Sequence, residues 1–450
     1  MSNESAHEDA IIGTVPQLNL FESPVIQSGV EKSMFVEYRP TNSISSQDAP
    51  IHFNLGGDSA DYLDLKRSRL SMKLKLVKED GTALPEKYNK VCCPINLILH
   101  TLFSQCELKI SGKTVSVSNN AYGYKAYLQT LLKSTVSSKV NNLQAQGYYK
   151  DSWDPNPDPS KQAELEMKLN VGNVIRRKKH EESKTVQLEG PLLEDFFQTN
   201  RLILNNTPVD IKLYRARPDF VVLHEDDTAK VKLILEDIVF KACYVKVHPG
   251  IITGHSDALQ KGNALYPYTR VEMLSFNLNT GARQFNLDNL FNGQCPTKVL
   301  VSFVDSEAFA GHQQKNPFKM ELFGLSEIQV MADGVSVPGR PLTIGAPSDN
   351  YGREVAGPFC ALYDSIGARD TNTFDFGLKP EDFSNGYGIF AFPLYGAGPG
   401  DSNFLQMKRS ANVRVQGNFT TALSKSVTAL VYAEFPTVLE IEASRNVIIN

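Results

Sequence analysis

The side chains that could do chemistry are few and poorly spaced for it. The eight histidines stand at 7, 52, 100, 180, 224, 248, 255 and 312. None forms an H-x-H pair or an H-E-x-x-H run, so neither a cupin-like 2-His-carboxylate set nor a helical zinc site is announced. His224-Glu-Asp-Asp227 offers adjacent carboxylates to a divalent cation, but it equally suits a hairpin turn between the apolar runs 220–223 and 231–235. Gly396-Ala-Gly-Pro-Gly400 has the glycines of a phosphate cradle without the helix that must follow one, and it reads as a flexible loop. No G-x-S-x-G elbow activates a serine. The six cysteines, at 92, 93, 106, 243, 295 and 360, make no C-x-x-C pair and are expected to be buried and reduced. These spacings describe a protein that is not an enzyme and carries no cofactor or metal.

Two clusters suit contact rather than catalysis. Arg176, Arg177, Lys178 and Lys179, followed by His180, form a basic run that could touch nucleic acid or act as a nuclear localisation signal. Glu181 and Glu182 partly cancel it, so a solvated loop tip is the competing reading. Trp153, the single tryptophan, lies in the Asp/Pro-rich stretch 151–159 as a candidate interface residue or a local packing anchor.

The composition narrows the class. With 46 Lys+Arg against 50 Asp+Glu in 450 residues, the formal charge is −4, which argues against a surface that wraps nucleic acid throughout. Hydrophobic residues make up 41% and charged residues 21%, enough for packed cores and too apolar for a disordered chain. No apolar run reaches the length of a membrane-spanning helix. The N-terminus is polar and acidic, without the pattern of a signal peptide.

The elements that must position these residues are mostly strands. Leu70, Met72, Leu74 and Leu76 alternate with Ser71, Lys73 and Lys75, the period of a half-buried strand. Similar short runs occur at 107–110, 209–214, 231–235, 242–247, 299–304, 327–330, 411–416 and 429–435. Tyr124, Tyr127, Leu128 and Leu131, with Leu132, lie at helical spacing and predict one amphipathic helix within 119–132, capped by Asn119 or Asn120 and buried against the first half of the chain. A weaker helix is expected at 191–197. Stretches 134–190 and 370–402 read as long loops, and Pro249-Gly250 as an interdomain break.

The chain also repeats itself. Leu102-Phe103 with Glu107-Leu-x-Ile110 returns as Leu322-Phe323 with Glu327-Ile-x-Val330. Val36-Glu37 with Phe53-Asn-Leu55 returns as Val271-Glu272 with Phe285-Asn-Leu287, and Asn120-Ala-Tyr-Gly123 is echoed by Asp349-Asn-Tyr-Gly352. The shared order predicts an all-β chain of two tandem eight-stranded jelly rolls, a double jelly roll with a few short helices and long loops. The expected division is an N-terminal arm at 1–30, a first roll at 31–255 and a second at 256–450.

A family resemblance rests on further residues. Leu20-Phe-Glu-Ser-Pro24, Gln27, Glu31-Lys-Ser33, Val36-Glu-Tyr-Arg-Pro40, Asp48-Ala-Pro-Ile-His-Phe53, Asp61-Tyr-Leu-Asp-Leu65, Leu99-His-Thr-Leu-Phe-Ser-Gln105 and the 119–132 segment together resemble the N-terminal part of the Maverick/Polinton (adintovirus-type) major capsid proteins. The resemblance implies a double jelly-roll structural protein without catalytic residues, three chains of which form a pseudo-hexagonal capsomer. It implies self-assembly into an icosahedral shell around double-stranded DNA, with penton and minor capsid proteins as partners and contact with the DNA indirect or weak. It places the chain in the virion capsid, after synthesis in the host cytoplasm and an assembly step that could be nuclear. The alternative is a domesticated host β-sandwich binding module of lectin type.

Overall fold

The computed structural model describes residues 16–18, 20–21, 26–57, 60–117, 120–153, 164, 168–225, 230–345, 354–367, 375–395 and 407–449. Ten strands come first: β1 (Val30–Tyr38), β2 (Ile51–Asn54), β3 (Tyr62–Lys78), β4 (Cys92–Pro94), β5 (Phe103–Ile110), β6 (Lys113–Thr114), β7 (Val186–Gly190), β8 (Val209–Arg215), β9 (Val222–His224) and β10 (Val231–Val247). Eight of them form two antiparallel four-stranded sheets, ordered β1-β10-β3-β7 and β2-β8-β5-β6, while β4 and β9 pair separately. Alternation sets the faces. Leu70, Met72, Leu74 and Leu76 of β3 turn into the space between the sheets and Lys73 stays in water. Phe53 of β2 meets Phe240 of β10 there, ring centroids 6.0 Å apart.

The second half repeats the plan with β11 (Ala264–Leu278), β12 (Gln284–Leu290), β13 (Gln294–Cys295), β14 (Lys298–Asp305), β15 (Leu325–Ala332), β16 (Val335–Thr343), β17 (Ile389–Pro393), β18 (Arg409–Ser410), β19 (Val413–Phe419), β20 (Val427–Ile441) and β21 (Val447–Ile449). Its main sheets run β11-β20-β14-β17 and β12-β19-β15-β16, with β21 beside β20 and β13 paired to β18. Numbering the eight main strands of each half along the chain, both halves pair first-eighth-third-sixth and second-seventh-fourth-fifth. That is one topology used twice, the two-sheet, eight-stranded jelly roll. The sequence repeats fall on equivalent strands: Val36 and Val271 on the first of each roll, Phe53 and Phe285 on the second, Glu107 and Glu327 on the fourth. Asp349-Asn-Tyr-Gly352 lies outside the described residues.

Several expectations change. The 134–190 stretch is not a loop. It holds helices Val136–Val140 and Val171–Lys179 and ends in β7. Thr135 Oγ1 accepts from Ser138 N (3.2 Å) and Asn170 Oδ1 from Asn173 N (3.3 Å), so a side-chain cap starts each helix. Within 370–402 the described residues 375–395 include the helix Pro380–Ser384 and β17. Pro249-Gly250 opens a helix, Pro249–Leu259, with proline in the first turn and the His248 ring accepting from Gly250 N at 3.1 Å. The segment near 191–197 is a short 3-10 turn, Asp195–Gln198. The predicted amphipathic helix is Tyr122–Lys133, preceded by Ala121 without a side-chain cap; Asn119 lies outside the described residues. Cys360 is exposed, while the other five cysteines are buried.

Candidate functional site

Between the rolls runs a seam built around the Tyr122–Lys133 helix. Eleven of its twelve residues are buried. Tyr124, Tyr127, Leu128 and Leu131 are 3%, 0%, 2% and 0% exposed. Their cover differs from the expected one, because the stripe also faces the second roll. The Tyr127 ring stacks on Phe318 at 4.3 Å, and Tyr124 meets Phe309 at 5.5 Å and Phe318 at 5.3 Å. One face of the helix therefore joins two cores.

Polar contacts fix the register of the seam. Lys133, at the helix C-terminus, reaches Glu434 of β20 at 2.7 Å, and the Tyr432 hydroxyl donates to the same carboxylate at 2.8 Å. Burial opposes the Glu434 charge, but Lys133, Lys298 and Tyr432 outweigh it and bring its pKa down to about 2. Deeper in, Lys125 lies 2.9 Å from Glu194 and 2.8 Å from Asp195, all three side chains within 4% of full burial. Asp195 also accepts from the Val271 backbone N–H of β11 at 2.8 Å. Burial works against the Lys125 ammonium, yet the two carboxylates hold its pKa above the usual lysine range. Burial likewise raises the Glu194 carboxyl to about 7, against the pull of Lys125. Beside them Phe196 meets the Tyr268 ring edge-on at 5.3 Å.

The basic run is divided by its helix. Arg176 is 1% exposed and cannot serve as a loop contact, which corrects the reading of a uniformly solvated tip. Its guanidinium donates to Asp151 Oδ1 (2.9 Å), Tyr149 O (3.2 Å), Pro94 O (3.1 Å) and Asn173 Oδ1. A guanidinium has the fork of donors needed to satisfy that many acceptors out of water. Lys178 and Lys179 are exposed and Arg177 is half-buried. Arg176 thus anchors the irregular segment at Tyr149 and Asp151. The Tyr387 hydroxyl donates to Asp151 O at 2.7 Å, and Trp153 packs on the Tyr387 ring at 6.2 Å under the Lys319 ammonium. Trp153 is therefore a contact from the first roll to the second within one chain. Residues 154–159 of its stretch lie outside the described residues, as do Asp226, Asp227 and Gly396-Ala-Gly-Pro-Gly400. Among the described residues no group of three or more His, Cys, Asp or Glu side chains could hold a metal ion, and no helix is long and apolar enough to cross a membrane.

The repeat makes the seam informative about what is left bare. The Tyr122–Lys133 helix lies between the fifth and sixth strands of the first roll and reaches β20 of the second through Lys133 and Glu434, while β11 is faced by the Asp195–Gln198 turn, whose Phe196 meets Tyr266 and Tyr268. The helix in the same place of the second roll is Ala356–Ser365. Only Pro358, Leu362 and Ser365 of it are buried; Cys360 and Asp364 are exposed and Phe359 is half-covered. The first strands diverge in the same way. β11 buries Tyr266, Tyr268, Val271, Met273 and Leu278. β1 buries none of its residues, and Phe35, Met34 and Val36 stand 49%, 38% and 37% exposed. The first roll thus has a helix buried in the seam, and the second a first strand that is covered. Their counterparts are less covered: β1 buries none of its residues, and Ala356–Ser365 is buried along one side only.

The fold and this seam define a double jelly roll, the architecture of a class of viral major capsid proteins. The chain is similar to a protein of the Sputnik virophage in its 3.5 Å cryo-EM structure (TM-score 0.62, 11% identity, 100% of this chain and 94% of that one). It is also similar to the capsid protein in a quasi-atomic model of the PBCV-1 capsid (TM-score 0.58, 11% identity, 95% and 98%) and to the mavirus major capsid protein (TM-score 0.52, 11% identity, 100% and 97%). Two of these solved neighbours are a virus capsid and a major capsid protein by name. In sequence, the Caenorhabditis elegans protein F54H12.2 is 24% identical over 439 residues, covering 95% of this chain and 99% of that protein. No family model matches the chain.

The exposed helix face, the bare first strand and the intrachain character of the seam were beyond sequence reasoning. The signal that pointed nearest to them was the internal repeat, which implies that a contact made by one roll has an equivalent on the other.

Proposed function

We propose that the chain is a structural major capsid protein of the Maverick/Polinton type, which forms homotrimers of pseudo-hexagonal outline and assembles through them into an icosahedral shell. The observation that carries this reading is the mismatch between the covered seam and its bare counterparts. The first roll supplies a helix and the second a sheet face. The second roll has its own helix, Ala356–Ser365, exposed along one side, and the first its own uncovered strand, β1. Copies arranged head to tail can repeat the intrachain contact between chains. Three chains bring six similar rolls into one ring, and closure removes the open ends that a heterologous contact otherwise leaves.

The N-terminal resemblance supports the narrower assignment to this family. We place the arm at 1–30 and the two rolls at 31–255 and 256–450, the division falling inside the Pro249–Leu259 helix. Penton and minor capsid proteins are the further partners. The near-balanced charge of −4 favours indirect or weak contact with packaged double-stranded DNA. The location is the virion capsid, with synthesis in the host cytoplasm and assembly there or in the nucleus.

Native mass spectrometry of the wild-type chain and of Phe35→Arg tests the reading. The wild type should give a three-chain complex. The variant, altered at an exposed position of β1, should remain folded and fall to single chains. A wild type that is monomeric, or a variant with unchanged stoichiometry, contradicts the assignment of β1 to the interface.

A further inference from the structure

The polar seam is not the only place where the rolls meet. A second is an open cavity of about 820 Å³, walled by Tyr62, Leu204, Val247 and Tyr266 of the rolls and by Ile251 and Leu259 of the connecting helix. The polar atoms of its wall are paired with one another or with the backbone. The Tyr62 hydroxyl and His255 Nδ1 are 2.8 Å apart, and Tyr266 donates to Leu202 O at 3.1 Å. What remains is apolar wall, on a helix with no buried residue of its own. A polar ligand would find no unpaired partner among these groups, whereas hydrocarbon side chains would remove the wall from water.

Gly29 and Val30 form part of the rim. The N-terminal segment therefore joins the fold at the mouth of the cavity. Leu18, Leu20, Phe21 and Ile26 on that segment are 64%, 74%, 98% and 81% exposed, so the chain does not fill its own cavity with them. The charges match as well. Glu4, Glu8, Asp9 and Glu22 precede residue 30 with no Lys or Arg among them, and Arg201 and Lys261 stand on the cavity rim. From Gly29 to Phe21 the chain can reach about 26 Å when extended, enough to cross to an adjacent molecule.

We propose that the cavity is the docking site for the N-terminal arm of a second copy, with Leu20 and Phe21 as its apolar anchors. Each copy then gives one arm and receives one, and the arm is the clasp that ties neighbouring copies together. The inference rests on the assembly reading above, since it requires two copies side by side.

The test uses full-length chains with exposed Cys360 replaced by serine. Phe21→Cys chains are mixed with Leu259→Cys chains, assembled and mildly oxidised, and sedimentation of the same sample records stoichiometry. The expected result is a two-chain disulfide band in the mixture, in excess of that from either variant alone and lost when Ala258→Trp plugs the cavity of the Leu259→Cys chain. A Phe21→Cys/Leu259→Cys double variant that links only within one chain overturns the exchange, and the arm then serves its own cavity. Multimers without the mixed band overturn the docking site while leaving the assembly reading intact. Monomers alone overturn the assembly reading, and this inference with it.

Discussion

Glu434 shows how one buried carboxylate can tie stability to pH. Its pKa is about 2 in the folded chain against an ordinary 4.5. A depressed carboxyl stabilises the fold fully above its unfolded pKa, and that contribution is lost as pH falls toward 2. The shift corresponds to roughly 3 kcal/mol. Thermal unfolding followed from pH 6 down to pH 3 should show a steep loss of stability in the wild type and a shallower one in Glu434→Gln; parallel curves would remove Glu434 from the seam's energetics. Lys139 acts in a higher pH window, and there the fold disfavours the charged form. Burial lowers its pKa to about 7, with Lys150 adding to the effect and Asp375 opposing it, while its ammonium donates to the backbone oxygens of Leu131 and Phe376. Between about pH 7 and the unfolded lysine value near 10.5 the unfolded chain binds the extra proton, so stability from this site rises with pH. Urea unfolding at pH 7, 8.5 and 10 should show that rise in the wild type and not in Lys139→Gln, which keeps donors but cannot titrate.

At the scale of elements, the Tyr122–Lys133 helix was legible from its stripe, and the strands were legible from alternation, because both patterns are local. Which body the stripe faces was not legible. Tyr124 and Tyr127 would sit at the same spacing whether they packed on their own roll or on Phe309 and Phe318. Nor could the charge run show that Arg176 turns inward, since its partner Asp151 lies 25 residues away and only the fold brings them within 2.9 Å. Helix Val171–Lys179 carries no apolar stripe to read, because the side it buries is Gly172, Asn173 and Arg176 while Val171 and Ile175 are exposed. Two substitutions test the packing of the seam. Leu128→Ala should cost about 2–5 kcal/mol in chemical denaturation, as for other core leucines. A cost near zero would place that side of the helix in solvent. Gly386 has φ +89° and an added Cβ would stand 2.3 Å from Trp153. Gly386→Ala should therefore destabilise by about 1–3 kcal/mol, and combining it with Trp153→Ala should recover part of that loss. Fully additive costs would show that the ring and the glycine do not meet.

At the scale of the whole molecule, the repeat visible in a handful of residues became two rolls with identical strand order. Only the fold revealed that they are used unequally, one first strand covered and its counterpart bare. That inequality is the reason to expect a ring, because a chain with one satisfied and one unsatisfied copy of the same contact is completed by its own kind. The most direct measurement is electron microscopy of the purified wild-type chain in negative stain. The account predicts particles with threefold symmetry and six lobes, two from each chain. A uniform field of single two-lobed particles, at concentrations where the protein is folded, would contradict it.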